Sequence, residues 1–307
     1  GDRISIGNRV WQIEDMDNQR VVVHPTSRSA MIAPFWKADN VGSDPWISGA
    51  LNRLYEDLDQ KGSQALDSFP SGSVDPMAAM ELESWFSRQK AFTGAPLPGR
   101  GHLLIEHLSD PSLTPDMDHF IIHSGWGIPV NAPLMYCIRE LFRRREGIEL
   151  QSFYTDDALV CSLPVELARD ADFAGILLTL GPESLGELLA AQLIGTGLFG
   201  ARFRANAGRS LLVVRRGFDT RTPLWLQRMR SKQLLQKVID FEDFPIIRET
   251  WRELLKDEFA LDALAEYLEK ISSGEISLST VETERPSPLA SDLMWELNNE
   301  YLYADDS

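Results

Sequence analysis

Apolar and polar residues alternate from residue 3 to 24, through Ile4 and Ile6, then Trp11 and Ile13, then Val21 and Val23. Gly7-Asn8 and Asp17-Asn18 punctuate the runs, so the period of two predicts a three-stranded meander, part of a small barrel. Between Arg28 and Gly42 the period disappears, in a segment holding Pro34-Phe35-Trp36-Lys37. Two helices follow with similar starts. Asp44-Pro45 and Asp75-Pro76 each place an N-cap before a first-turn proline. Behind them, Ile47, Leu51, Leu54, Leu58 and then Met77, Met80, Trp85 carry the helical spacing. Residues 62–74 and 94–101, rich in Gly, Pro and Ser, read as loops.

The middle of the chain reads as a small α+β unit. Strands are expected near 102–108 and 118–124, a helix from about Asn131 to Arg145 stopped by Gly147, then strands near 149–155 and 158–163. The helix places Leu134, Ile138, Leu141 and Phe142 on one stripe, suited to packing over a sheet. Beyond Pro164 the pattern turns helical, with starts near Pro182, Gly197, Thr222, Pro245 and Leu261, the last closed by Gly274. A short strand over 275–281 precedes Ser287-Pro288 and a terminal amphipathic helix through Leu293, Leu297 and Tyr301. The fold class is α+β: an N-terminal meander or small barrel (1–43), a helical segment (44–98), a small α+β unit (99–164) and a mostly helical C-terminal part (165–307).

Composition adds limits. With 307 residues, 43% apolar and 25% charged, the chain is ordinary globular material. No window approaches a membrane span, residues 1–20 resemble no signal peptide, and the cytoplasm is the natural reading. Gly1-Asp2-Arg3-Ile4 lacks an initiator Met and enters a strand at once, which reads as a fragment of a longer polypeptide. Cys137 and Cys161 are too few for a disulfide framework and lack zinc-site spacing, so both read as small core residues.

The net charge of −16 argues against a polyanionic partner until its distribution is considered. Residues 200–240 hold ten Lys or Arg and only two acids, Asp219 and Asp240, a local balance of +8 that leaves −24 for the rest. Such a stripe steers a polyanion to one face; a solvated helix surface is the bland alternative.

Candidate chemistry is sparse. There is no Gly-x-x-x-x-Gly-Lys-Ser/Thr loop, no acidic box for magnesium and no Gly-x-Gly-x-x-Gly, so no catalytic residue and no cofactor are assigned to this chain. His102, His107, His119 and His123 fall on neighbouring strands, and a hairpin would bring His107 opposite His119. His102 and His107, an odd number apart, face opposite sides, so polar strand positions explain them better than a metal site. Asp156-Asp157 and Asp15-Met16-Asp17 sit where turn residues are expected. Trp36 has no periodic reason to be buried, and an indole beside Lys37 suits a stacked base and its phosphate; read on residues alone, sealing the meander is the simpler account. The helix near Thr222 puts Leu224, Leu234, Leu235 and Val238 on one face. Arg228 and Lys232, four apart, share a flanking stripe with Trp225, a pattern suited to a single strand's backbone and bases.

Three ordered blocks are more specific than any single motif: Leu198-Phe199-Gly200-Ala201-Arg202-Phe203-Arg204, Arg221-Thr222-Pro223-Leu224-Trp225-Leu226-Gln227-Arg228 and Phe244-Pro245-Ile246-Ile247-Arg248-Glu249-Thr250. They resemble the C-terminal region of Lhr-type helicases, the DEAD/DEAH-box associated domain. Gly7-Asn8-Arg9-Val10-Trp11-Gln12-Ile13-Glu14, Val21-Val22-Val23 with Pro34-Phe35-Trp36, and Val281-Glu282-Thr283 with Ser287-Pro288 extend the resemblance along the chain. It implies an accessory region of a 3′ to 5′ DNA translocase active in repair, coupled to two RecA-like domains that supply the ATP and Mg²⁺ chemistry and to a winged helix. The implied partner is single-stranded DNA or an RNA:DNA hybrid, held by Trp36 and Lys37 with Arg202, Arg204, Arg221, Trp225, Arg228 and Lys232. His123-Ser124-Gly125-Trp126-Gly127 departs from the family pattern, as does the acidity. A protein-docking scaffold without DNA contact is the rival class, and a base-excision enzyme the third; the latter needs a base pocket with an acidic or nucleophilic residue, for which no residue stands out.

Overall fold

The alternation near the N-terminus becomes a sheet of β1 (Arg3–Ile6), β2 (Arg9–Met16) and β3 (Val21–Thr26), antiparallel in chain order, with Ile4 opposite Trp11 and Ile13 opposite Val23. The structure, a computed structural model, describes residues 3–6, 9–16, 21–26, 42–70, 72–213, 224–241, 243–295 and 297. A register shift between Ile13 and Asp15 keeps β2 paired to Met16, so Asp15 is a strand residue and not a turn residue; Asp17 lies outside the described residues.

α1 (Pro45–Lys61) and α2 (Pro76–Thr93) begin where their Asp-Pro pairs place them. Asp44 accepts the Trp46 amide at 2.8 Å, and Asp75 accepts those of Met77 and Ala78. Between them Gly62–Ser68 is a 3-10 turn and not an open loop, because Ala65 and Leu66 join a cluster with Leu58, Phe86 and Leu97. The first two turns of α1 reverse the usual polarity. Ser48 and Asn52 are buried, and Asn52 donates to the carbonyls of Ser124 and Gly125, whereas Trp46, Ile47 and Leu51 are exposed.

The central sheet uses β4 (His102–Leu108), β5 (Met117–His123), β6 (Gln151–Tyr154) and β7 (Ala158–Pro164), close to the expected spans. β8 (Ser277–Thr283) joins it from near the C-terminal end, giving the order β6-β7-β5-β4-β8. β8 runs parallel to β4, His102 opposite Ser277 and Leu108 opposite Thr283; every other pair is antiparallel. α3 (Ile128–Glu146) buries Leu134, Cys137, Ile138 and Phe142 and ends on Gly147 in the left-handed region. Cys161 is equally buried, and burial pushes the Cys137 thiol up to about 12.

Glu140 on α3 is fully buried. It accepts two bonds from Arg143 (2.8 and 2.6 Å), one from Arg144 (2.7 Å) and one from Gln192 (3.1 Å). The Arg143 contact first, then Arg144 and Gln192, hold its carboxyl at about 2 against the opposing effect of burial. A depressed carboxylate stabilises fully above its unfolded value of 4.5, and that stability drains away as pH falls from there toward about 2. The gap corresponds to about 3 kcal/mol at most, reduced to about 1 to 2 kcal/mol by solvent around the half-exposed arginines. Glu140→Gln should therefore be less stable at neutral pH and show a flatter decline between pH 4.5 and 2.5 in urea titrations; an unchanged acid profile would contradict this account.

Further α-helices are α4 (Val165–Ala168), α5 (Phe173–Thr179), α6 (Leu185–Leu193), α7 (Gly197–Arg209), α8 (Leu224–Val238), α9 (Pro245–Arg252) and α10 (Leu261–Ser272); Pro182–Ser184 is a 3-10 turn, Glu253–Glu258 a π-helical turn after α9, and residues 291–295 are also helical. Among the described residues no single helix is long and apolar enough to cross a membrane. Phe173–Thr179 and Pro182–Leu193 pass on length and composition only as a pair bent by 88°, and Phe173, Leu177, Leu185, Leu189 and Leu193 are buried. The chain divides into two compact units. Residues 1–40, 194–254 and 297–307 form one; residues 41–193 and 255–296 form the other and contain the five-stranded sheet.

Candidate nucleic-acid interface

α7 and α9 are built around a shared seam. Thr196 caps α7 by accepting the Phe199 amide, and Phe199, Phe203, Asn206 and Ala207 recur at helical spacing on its buried face. α9 begins on Pro245 and turns Ile247 and Thr250 inward. The Phe199 ring meets Trp251 edge-on at 5.1 Å. Beside it, Asn206 Nδ2 donates to Thr250 Oγ1 (3.3 Å) and to Glu253 Oε2 (2.9 Å), while the other oxygen of Glu253 takes Arg209 at 2.8 Å. α7 also packs on α8. Much of the first and third sequence blocks is thus interior: Phe199, Phe203, Ile247 and Thr250 are buried, while Arg202 and Arg248 are exposed and Arg204 is half-buried.

Those cations do not share one face. Arg202 is exposed on the flank that, seven residues later, carries Arg209; Arg204 is half-buried on the opposite flank, as two residues apart on a helix must be. Both engage other groups. On α8 the buried side centres on Gln227 and Ser231, with Leu234, Leu235 and Val238 half-buried beside them. Arg228 and Lys232 are exposed, four apart. The structure adds Arg230 and Lys237, both exposed and not singled out by spacing. Among the described residues these four meet no carboxylate. Trp225 begins the same stripe by its spacing, but its side chain, together with Trp36, Lys37 and Arg221, lies outside the described residues.

Charge also separates the two units. The unit containing α7, α8 and α9 holds 17 Lys or Arg against 14 acids, a balance of +3; the other holds 13 against 32, a balance of −19. A polyanion is therefore repelled by one unit and tolerated by the other.

Other clusters of polar groups are committed internally. The hairpin register places His107 opposite Phe120 and His119 opposite Leu108, so the expected His107–His119 pairing is off by one residue and the two rings face opposite sides. His107 bonds Asp118 (3.0 Å) and stacks on Phe120; His119 bonds Ser162 and Thr114 (both 2.8 Å); His102 bonds Ser279 (2.9 Å); His123 bonds Glu106 (3.2 Å). Burial lowers the basicity of His102 and His119. No three His, Cys, Asp or Glu side chains converge among the described residues. Asp156 does sit in a turn, yet it also caps α3 from a distance in sequence, accepting the amides of Ile128 (2.7 Å) and Ser43 (2.8 Å). A cleft of about 410 Å³ by the end of α3 is lined by Leu141, Phe142, Ile176 and Arg144, but Arg144 is spent on Glu140 and Glu187.

Residues 97–290 match the family model described as DEAD/H associated, and the chain belongs to that family. Its relatives are Lhr-type helicases. It is 31% identical over its full length to the Lhr helicase/probable uracil glycosylase of Mycolicibacterium smegmatis, covering 20% of that protein, and 31% identical to the Lhr helicase/uracil glycosylase of Escherichia coli, covering 19%. An ATP-dependent helicase Lhr-Core of Sulfolobus acidocaldarius is 26% identical over 76% of the chain, which covers 26% of that relative. The chain thus spans about one fifth of the length of the bacterial relatives it matches. The solved structure of Mycobacterium smegmatis helicase Lhr bound to ssDNA and AMP-PNP aligns with a TM-score of 0.71 at 29% identity, over 85% of this chain and 33% of that one.

Proposed function

We propose that this chain is the strand-holding accessory region of an ATP-dependent Lhr-type helicase, keeping single-stranded DNA, or the DNA strand of an RNA:DNA hybrid, engaged while RecA-like domains translocate. The observation that carries this reading is the four exposed cations of α8, Arg228 and Lys232 on one flank and Arg230 and Lys237 on the other, without carboxylate partners among the described residues and in the unit that does not carry the strong acidic balance. In this reading Arg228 and Lys232 meet phosphates, Trp225 and Trp36 stack on bases with Lys37 and Arg221 beside them, and Arg202 and Arg204 brace the flanks of α7. ATP and Mg²⁺ belong to the translocating domains and the work is cytoplasmic DNA repair. The sequence relatives named for helicase activity, and the aligned structure that holds ssDNA, support this reading.

The test is fluorescence anisotropy of the 307-residue chain with labelled single-stranded DNA across a salt series. Removing two phosphate contacts in Arg228→Ala/Lys232→Ala should weaken binding at low salt and flatten the slope of log K against log salt by about 1.4. Equal slopes for the two proteins would sink the assignment. A second reading, a protein-docking scaffold, draws on the −19 balance of the sheet-containing unit and on the exposed Trp46, Ile47 and Leu51. It predicts weak, salt-insensitive behaviour toward DNA.

A further inference from the structure

α7 does not end on glycine. The Ser210 amide returns to the Asn206 carbonyl at 2.9 Å, and the next residue, Leu211, has φ 63; among the described residues it is the one non-glycine residue in the left-handed region. That conformation costs a residue with a Cβ and costs glycine almost nothing. The turn is nevertheless well fixed: Leu211 N–H donates to the Gly208 carbonyl (3.3 Å), Val213 N–H donates to the Ala207 carbonyl (3.0 Å), and Val213 is buried. The side chains in between face water. Leu211 is 81% exposed and Leu212 52%.

Two penalties therefore coincide in two residues, backbone strain and exposed apolar surface; the left-handed turn ends α7, but ending a helix explains neither a leucine where glycine would cost less nor the exposure of both side chains. Their place in the sequence supplies the reason. They lie inside the +8 stretch, two residues after Arg209 and shortly before Arg215-Arg216. A ligand that suits an apolar tip on a basic stretch is anionic along its length and apolar on its faces, which describes a nucleic acid with an uncovered base. A two-residue projection presents no groove to follow an extended strand; it fits one base step, as apolar wedges do when they enter a stack. The place where a nucleic acid uncovers one such face is the end of a duplex that continues as a single strand.

We propose that Leu211 and Leu212 form an apolar finger that abuts the terminal base pair at a junction between duplex and single strand. The inference rests on the strand-holding reading given above and adds a junction contact to it. It is tested with Leu211→Gly in the 307-residue chain, on forked DNA and on single-stranded DNA of equal length. Glycine removes the side chain and relieves the backbone together, so Tm should be no lower than wild type. Affinity for the fork should fall roughly three- to tenfold and affinity for single-stranded DNA should change less than about twofold, the expected loss of one apolar contact with a base. The signal of 2-aminopurine placed at the junction, raised by the wild type, should drop. Leu212→Ser, which leaves the Leu211 turn intact, should act in the same direction. An unchanged fork affinity with an unchanged 2-aminopurine signal overturns the proposal. So does loss of binding to phosphatidylserine vesicles with fork binding intact, since the finger would then be a lipid contact. Failure of the strand-holding reading registers elsewhere, in the salt slope of Arg228→Ala/Lys232→Ala.

Discussion

Gly127→Ala should cost about 3 to 5 kcal/mol and lower the thermal midpoint by on the order of 10 °C. Gly127 sits between β5 and α3 at φ 83, ψ 153, a region that a residue with a Cβ hardly enters. An added Cβ would also lie 2.4 Å from the Ser43 carbonyl oxygen and 2.7 Å from Ser48 Oγ. The first contact is with backbone, which cannot rotate away. Moving Ser43 would in turn break its amide bond to Asp156, the residue that caps α3 because Gly127 has no side chain to do so. The strain and the lost cap act in the same direction. A circular-dichroism melt within about 2 °C of wild type would show that the turn relaxes and that the close approach is unimportant.

The second large effect is expected at Glu106→Ala. Glu106 on β4 has no exposed surface and gathers four donors: Thr283 Oγ1 (3.0 Å), the Ser287 amide (2.9 Å), Ser287 Oγ (2.6 Å) and His123 Nε2 (3.2 Å). Burial pushes its carboxyl up, and the His123 and Ser287 contacts outweigh that and bring it below the usual value. Truncation leaves a buried imidazole, two hydroxyls and an amide without their acceptor, at about 3 to 5 kcal/mol. Three of the four donors come from Thr283, the last residue of β8, and Ser287 just beyond it, so the loss should be local first. Hydrogen exchange at the β8 amides should accelerate more than at β7, which Glu106 does not touch. Equal acceleration in both strands would mean that the carboxylate supports the sheet as a whole and does not fasten β8.

Much of this architecture was legible from local chemistry. The Asp-Pro starts of α1 and α2, the span of β4 and the glycine stop of α3 are each set by a few adjacent residues. Pairings that depend on distant partners were not. Nothing in Ser277–Thr283 announces a parallel pairing to β4, and nothing near Asp156 announces that it caps a helix beginning at Ile128. The burial of Ser48 and Asn52 was hidden for the same reason, since the acceptors that repay Asn52 are carbonyls of Ser124 and Gly125. α4 and α5 are too short for a period to register. For the candidate interface, spacing found Arg228 and Lys232 on α8. Of the seam of Asn206, Thr250 and Glu253 only Thr250 falls inside a family block, and Asn206 and Glu253 were not singled out, because the seam's logic is a contact between helices separated in sequence. The placement of Arg202 and Arg204 on opposite flanks was readable in principle from their separation of two.

The interleaving of the two units has a mechanical side. The chain leaves the sheet-containing unit after residue 193, builds α7, α8 and α9, and returns at residue 255; it also crosses between units at 40–41 and 296–297. No single cut releases either unit whole, so neither can be swapped or deleted as a cassette at one end. A pull applied to α8 would reach the other unit along two backbone paths at once, through 193–194 and 254–255, and the load would be shared by covalent bonds rather than borne by a single tether.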